Sequence, residues 1–289
     1  MGEKSWMRKA ALLAVLAVVA TGFAFAADPT LAQPAFRQTN QWMEQVRYQE
    51  WQQKSSAHFL LRYTTEDEGV AEMVLSEAEQ VYADFAAAFQ FAPEKPVNLV
   101  LYPDRESLQE RFRWSAAQSA TGVYLGGVIY LLSPSVWLYP EGEVLTNGAE
   151  PLFHQEGPLY HEYAHLYLDH LANNRFPRWY SEGLAQLIEY EYIGYEWLSE
   201  ENILYREELY RLDELASFDR LENTALAYRQ VFRWLEWMGE SRGPSVWAEL
   251  NGQLAASVGF DQAWYGVFGE TTADSWQRFQ RHVDRVRLR

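Results

Sequence analysis

Hydrophobic positions in the first half of the chain alternate between β-type and helix-type spacing. The runs HFLLRYTT and VNLVLYP are rich in β-branched and aromatic residues, and each predicts a strand. Between them, residues 68–90 carry apolar side chains at helical spacing, which predicts an amphipathic helix. The segment TGVYLGGVIYLLSP joins two β-rich runs at Gly126 and Gly127, a pattern typical of a hairpin with a two-residue turn. These elements predict a small α/β layer.

The second half of the chain is predicted to be almost entirely helical. The segments with helical spacing are 158–171, 178–193, 199–215, 223–239, 244–255 and 273–287. Upstream, residues 28–39 contain two prolines and predict a short linker, residues 40–53 predict a surface helix, and residues 134–151 are expected to form a loop. The expected fold class is therefore α+β, with a small mixed sheet followed by a mainly helical C-terminal half.

The N-terminal segment has the pattern of a secretory signal peptide. Lys4, Arg8 and Lys9 precede a long uncharged apolar run, and small residues at cleavage spacing follow near Ala26 and Ala27. We therefore expect residues 1–27 to be removed and the mature protein to be secreted or periplasmic, without a membrane span. The alternative is a retained N-terminal membrane anchor, because the apolar run is close to the shortest that spans a bilayer.

Composition narrows the chemistry that is open to this chain. It contains no cysteine, which excludes disulfide bonds and thiolate zinc ligands, so metal ligands must come from His, Asp and Glu. The formal net charge is −16, and a field of that sign repels the phosphates of nucleic acids and anionic lipids. We therefore expect no nucleic-acid partner.

The motif HEYAH, at residues 161–165, is the strongest chemical signal in the sequence. On a helix, His161 and His165 project from one face on successive turns, where two imidazoles can bind one metal ion. HExxH on a helix is the known pattern of two zinc ligands with a glutamate as general base, here Glu162. Gly157 and Pro158 suit the entry to such a helix and place the motif in its first turns.

A hydrolytic zinc site takes three protein ligands, and Glu182 in FPRWYSEGLAQ is the best candidate for the third. Pro177 marks the start of a second helix, and Gly183 permits close helix approach. An antiparallel helix pair would bring Glu182 back toward the two imidazoles. His170 lies about 140° around the helix from His165 and is expected to be a helix-end cation instead. His154 is expected to be a solvated loop residue.

Three blocks of the sequence resemble the gluzincin branch of the zincin metallopeptidases, particularly the bacterial secreted peptidase MA-like group. The blocks are LYHEYAHLYL, FPRWYSEGLAQ and ALAYRQVFRWLEWMGE. The resemblance implies a zincin-like metallopeptidase domain over 57–289, with an α/β part over 57–157 and a helical part over 158–289. A linker and N-terminal helix over 28–56 precede it.

The resemblance also implies residue roles. His161, His165 and Glu182 match the ligands of a single Zn²⁺ ion, and Glu162 matches the general base. Tyr228 matches the tyrosine that large zinc aminopeptidases present to the oxyanion. Those enzymes follow that tyrosine with lysine and glycine, whereas Arg-Gln-Val follows here, and their element for gripping a free amino terminus is not found in this chain.

The expected function is that of a secreted or periplasmic zinc metallopeptidase that hydrolyses polypeptide substrates. The hairpin around Gly126 precedes the motif helix, as does the edge strand along which gluzincins bind an extended peptide. Gln186 and Glu189 are candidates for outer partners of the imidazoles. The alternative function is a catalytically silent, zinc-stabilised binding module of the cell envelope, although a purely structural site needs no base such as Glu162.

Overall fold

The structure is a computed structural model, and it describes residues 29–115, 120–138, 149–243, 245–256 and 258–287. Five strands form one mixed sheet in the order β1-β2-β3-β5-β4. Strands β2, β3 and β5 run parallel, and the two outer strands pair antiparallel to their neighbours. The strands are β1 Gln52–Ser55, β2 Phe59–Tyr63, β3 Val97–Tyr102, β4 Gly122–Leu125 and β5 Val128–Leu132.

Helices pack around the sheet and predominate in the described chain from Ala149 onward. The helices are α1 Pro29–Arg47, α2 Glu68–Phe89, α3 Arg105–Phe112, α4 Pro134–Trp137, α5 Ala149–Glu156, α6 Leu159–Ala172, α7 Arg178–Ile193, α8 Leu212–Leu215, α9 Thr224–Glu240, α10 Val246–Ala255, α11 Phe260–Phe268 and α12 Thr272–Arg287. Short 3₁₀ turns lie at Thr65–Asp67, Glu200–Asn202 and Phe218–Arg220. The predicted α+β class, with a small mixed sheet and a helical C-terminal half, is confirmed.

The sheet is buried on both faces, as the continuous hydrophobic runs of its central strands require. Side chains along β3 alternate: Leu99 and Leu101 join the large core beneath α2, α6 and the helical half, whereas Val100 and Tyr102 join a smaller core on the opposite face. The large core extends from the sheet into α7 and α9–α12. The α/β part and the helical part therefore share one hydrophobic core.

Helices α6 and α7 form the predicted pair, and the latter packs closely on α9. A Cβ atom on Gly183 would lie 2.9 Å from Leu235 Cδ1 and 3.1 Å from the carbonyl oxygen of Val231. Only glycine allows α7 and α9 to approach this closely without a shift of one helix. The expectation that Gly183 permits close helix packing is confirmed.

The predicted linker over 28–39 is wrong, because α1 begins at Pro29 and continues through Pro34 to Arg47. Prolines indicated a loop, but Ala32, Asn40 and Glu44 on one face of α1 are buried. Tertiary contacts therefore outweigh the hydrogen bond that proline removes. The surface helix predicted over 40–53 is confirmed as far as Arg47, after which the chain enters β1.

Other differences lie in segments where turn chemistry or apolar packing decided the outcome. The helix predicted over 199–215 is a 3₁₀ turn, an irregular stretch and the short α8. Buried Asn202 accepts from the backbone N–H of Ser199 and donates to the carbonyl of Trp197, which satisfies the chain without a helix. Four helices, α3, α4, α5 and α11, were not predicted, and the loop expected over 134–151 contains α4 and the start of α5.

The predicted signal peptide over 1–27 lies outside the described residues. Within the described part of the chain, no helix combines the length and the hydropathy that crossing a membrane would require.

Candidate metal centre

The helix that carries HEYAH begins at a sharp turn. A Cβ atom on Gly157 would lie 2.3 Å from the carbonyl oxygen of Phe153, so the turn from α5 into α6 requires glycine. Pro158 directly precedes the helix, and Asn173 ends it in the left-handed conformation with its N–H bonded to the carbonyl of Asp169. His161 and His165 therefore lie on successive turns, with their ring centroids 4.9 Å apart.

The second helix of the pair brings Glu182 to both imidazoles. Its Oε2 atom lies 3.5 Å from His161 Nε2 and 3.4 Å from His165 Nε2. His161, near the start of α6, also faces Glu189, near the end of α7, so the two helices run antiparallel as predicted. The tertiary structure thus brings together the three residues that were predicted as ligands.

The spacing of these three donor atoms fits a tetrahedral metal ion. Tetrahedral zinc with bonds of ~2.0–2.1 Å separates its ligand atoms by roughly 3.4 Å. The two nitrogen-to-oxygen distances match this spacing, and no two of the three donor atoms are more than 4.8 Å apart. The two nitrogen-to-oxygen distances are too long for good hydrogen bonds, which have heavy-atom distances of about 2.7–3.2 Å. Two imidazoles with one carboxylate form a donor set that suits zinc.

Electrostatics around the donors also favours a cation. Glu162, Glu182 and Glu189 are 6, 6 and 7% exposed, and together with His161 and His165 we call them the site cluster. Three buried carboxylates so close together are costly unless positive charge compensates them. Charge in this cluster therefore favours a proton or a metal cation between the imidazoles.

The pKa shifts of two donors show the strength of this coupling. Burial alone would lower the pKa of His161, but the Glu182 and Glu189 carboxylates outweigh it and raise that pKa well above its usual value. Burial alone would raise the pKa of Glu182, but His165 and His161 hold it well below the usual value. Glu182 is therefore ionised at neutral pH and is ready to bind a cation.

Outer partners orient both imidazoles so that their Nε2 atoms face Glu182. His165 Nδ1 lies 2.8 Å from the hydroxyl oxygen of Ser181, and His161 Nδ1 lies 3.4 Å from Glu189 Oε2. Glu189, a predicted candidate for an outer partner, is thus at ion-pair distance from His161. Sequence reasoning missed Ser181, whose only signal was its place directly before Glu182. No described hydrogen bond joins Gln186 to either imidazole, and its side chain lines a small separate cavity behind Glu189.

Glu162 lies directly beneath the edge strand β4. A Cβ atom on Gly122 would come within 2.9 Å of Glu162 Oε1 and 2.7 Å of Pro158 Cβ, so strand and helix are in contact here. Burial raises the pKa of Glu162 and outweighs the opposing effect of His161 and His165. A carboxylate with a raised pKa is a better proton acceptor, which suits a general base.

Tyr228, on α9, stands beside the site cluster. Its hydroxyl accepts a hydrogen bond from Arg178, whose Nε donates to Glu182 Oε1 at 3.0 Å. Phe218 packs edge-on against the Tyr228 ring at a centroid distance of 4.9 Å. Burial and the Glu182 carboxylate raise the pKa of Tyr228, so the phenol keeps its proton and can donate it in a hydrogen bond. Sequence reasoning did not identify Arg178, which joins Tyr228 to a predicted ligand.

The two competing histidines lie away from the site cluster. Burial and the Arg37 guanidinium lower the pKa of His170, so its imidazole is neutral at pH 7 and the predicted helix-end cation is wrong. Its ring packs against Phe91 at 5.7 Å. His154 lies on helix α5, not in a loop as expected, and its partly exposed imidazole contacts Glu77 at 2.9 Å.

A cleft of about 330 Å³ opens beside the donor atoms. One wall consists of Gln33 and Phe36 on α1 with Tyr124 and Leu125 on β4. The opposite wall is formed by Arg178 together with two of the three donor residues. This volume is within the range of small-ligand sites, and the cleft leads to the donor atoms.

Comparison with known proteins adds no relative to this description. No protein-family model matches the chain, and a search of curated proteins finds no match.

Proposed function

We propose that this protein is a zinc-dependent peptidase, in which His161, His165 and Glu182 hold one Zn²⁺ ion. The observation that carries the proposal is the convergence of two imidazole nitrogens and one carboxylate oxygen at tetrahedral spacing, next to a buried glutamate that is not one of the three donors. A purely structural zinc site has four protein ligands and no use for such a base.

The chemistry of peptide hydrolysis assigns a task to each neighbouring residue. When bound, a zinc ion supplies a Lewis acid that polarises a carbonyl group and lowers the pKa of a water molecule to near 7. Glu162 takes the proton of the attacking water and transfers it to the departing amine. Tyr228 donates a hydrogen bond to the substrate oxygen that gains negative charge, and Arg178, by donating to the phenol oxygen, leaves the phenol proton free for this role.

The edge strand supplies a surface along which a peptide can bind. β4 pairs with β5 on one side only, and its first residue lies against Glu162. Addition of a substrate strand to this edge would place a peptide carbonyl beside the donor atoms. This supports polypeptides as the substrate class. The proposed location is secreted or periplasmic, as the N-terminal sequence indicates.

The test measures zinc content and proteolysis together. The protein without its signal segment is analysed for bound zinc and incubated with a diverse peptide pool, with cleavage products identified by mass spectrometry. We expect one zinc ion per chain, and we expect Glu162→Gln to retain it while the cleavage rate falls roughly 10³-fold. Zinc binding without cleavage by the unaltered protein would instead support the catalytically silent binding module. A chain that binds no zinc would contradict both.

A further inference from the structure

Helix α1 crosses the end of the β4–β5 hairpin and is bonded to its turn. Asn40 Nδ2 donates to the carbonyl oxygens of Leu125 at 2.9 Å and Gly126 at 3.2 Å. Gln41 Nε2 donates to the carbonyl oxygen of Gly127 at 3.1 Å. A Cβ atom on Gly126 would lie 2.7 Å from the Phe36 ring, so α1 and the turn are in direct contact. The contact leaves no room for another peptide strand to continue along β4 past Leu125.

Only a short stretch of β4 offers free backbone groups to a substrate. In an antiparallel pair, successive residues turn their N–H and C=O groups alternately inward and outward. The carbonyl of Thr121 bonds inward to Leu132, which places the groups of Gly122 and Tyr124 on the outer side. No described hydrogen bond uses the outer groups of these two residues. Beyond Tyr124 the chain turns at Gly126, whose carbonyl already accepts from Asn40.

The direction of a bound peptide follows from strand chemistry. Gly122 lies beside Glu162, so the scissile bond belongs near this end of β4. Antiparallel pairing is the more stable arrangement, and it runs the substrate opposite to β4. The residues before the scissile bond then extend from Gly122 toward Leu125 and end at α1. At ~3.3 Å per residue, this stretch holds about three residues.

We propose that α1 closes the substrate groove on this side, so that the enzyme acts on peptides with no more than about three residues N-terminal to the scissile bond. Gln33 and Phe36 form the closing wall and set this limit. The substrate class is therefore peptides cut near their amino terminus. This inference rests on the proposed peptidase function and extends it.

The wall is fixed in place by a buried ion pair. Arg37 Nη1 donates to Asp169 Oδ1 at 2.9 Å and to the Asp169 carbonyl at 3.0 Å, and Tyr124 donates its hydroxyl hydrogen to the same carboxylate. Asp169 is fully buried on α6, one turn beyond His165. One carboxylate therefore ties α1, the edge strand and the motif helix together, and the groove keeps its closed end.

The test is a peptide length series with two arms. Peptides share one cleavable core and carry one to six residues before the scissile bond, and a second series varies the residues after it. We expect kcat/KM to fall at least ~10-fold once the N-terminal side exceeds about three residues, with no comparable fall in the second series. Equal rates across the first series, or a fall confined to the second, would overturn the inference while leaving the peptidase proposal intact.

Variants of α1 test whether this helix sets the limit on peptide length. The double variant Gln33→Ala/Phe36→Ala should restore cleavage of the long peptides while short peptides remain good substrates. The matched control Gln38→Ala/Trp42→Ala changes two exposed residues of the same helix and should retain the limit. A limit that survives in the cleft variant would overturn the role of α1. Should that variant not fold, the length series with the unaltered protein still decides the inference. If no peptide of any length is cleaved, the peptidase proposal itself fails.

Discussion

Two clusters of buried charge lie in different parts of this molecule, and they differ in the ratio of negative to positive groups. The site cluster has three buried carboxylates, and the Arg178 guanidinium pairs with only one of them. The second, which we call the Glu44 cluster, consists of Glu44, Arg47, Arg111 and Tyr130 on the sheet face that α1 covers. Glu44 is 1% exposed and lies 2.9 Å from Arg111 Nη2 and 3.3 Å from Arg47 Nε.

The difference separates a structural role from a functional one. In the Glu44 cluster each buried charge has an opposite charge beside it, so folding alone accounts for the arrangement. In the site cluster negative charge exceeds fixed positive charge, and the imidazoles turn their free nitrogens toward one carboxylate oxygen. Burying unbalanced charge lowers the free energy of unfolding. Proteins keep such clusters mainly where a bound ion or a reaction requires them.

Removing a proposed ligand should have the largest effect of the three comparisons, because both zinc binding and peptide cleavage depend on it. Glu182→Gln replaces an anionic donor with a neutral amide, and we expect loss of tight zinc binding and of measurable peptide cleavage. Zinc at about 100 times its dissociation constant should stabilise the unaltered protein by ~2.7 kcal/mol, and the variant should lack this response. Thermal unfolding with and without zinc measures it. Glu44→Gln is the matched control and should keep the zinc response; an equal zinc response in both variants would contradict the site.

Breaking the buried pair of Glu44 with Arg111 should lower stability without altering the proposed catalysis. Glu44→Gln leaves Arg111, whose side chain is 16% exposed, without its carboxylate, and the free energy of unfolding should fall by about 3 kcal/mol. Urea denaturation measures this change, and kcat on a short peptide should be retained. Glu72→Gln breaks the exposed pair with Lys54 and should leave the free energy of unfolding almost unchanged. Similar losses in the two variants would show that burial of the Glu44 pair carries no special weight.

Removing one hydroxyl beside the site cluster and one from the Glu44 cluster should have the smallest effects of the three comparisons. Tyr228→Phe should lower kcat about 100-fold, equivalent to ~2.7 kcal/mol, because the oxygen that gains charge loses a donor. Zinc binding should be unchanged. Tyr130→Phe removes a hydroxyl from the Glu44 cluster and should leave kcat within about twofold. Steady-state kinetics on one short peptide distinguishes them, and equal kcat for Tyr228→Phe and the unaltered protein would remove Tyr228 from the mechanism.

Sequence reasoning succeeded where local spacing determines geometry. His161 and His165 lie four residues apart, so any helix places them on one face, and Glu182 followed from a helix pair with a short connection. It failed at α1, where Pro29 and Pro34 indicated a loop although buried contacts with the hairpin hold a helix. Local propensity is a weak guide when tertiary packing opposes it.

The residues that surround the proposed ligands show the same limit of prediction from the sequence. Ser181 orients His165, and Arg178 joins Glu182 to Tyr228, yet neither has a spacing pattern that marks it in advance. Their roles depend on side-chain direction within a packed interface between α6, α7 and α9. Glu189 was a candidate only because it lies on the same helix as Glu182.

By itself the sequence determined the α+β class, the two helices that carry His161, His165 and Glu182, and the convergence of these three residues, because helical periodicity converts residue spacing directly into direction in space. Tertiary structure alone decided the contact of α1 with the β4–β5 hairpin and the buried carboxylate that anchors it. Arg37 and Asp169 are 132 residues apart in the chain, and no periodic pattern relates them. Contacts over such distances arise from the packing of whole elements, which local spacing does not encode.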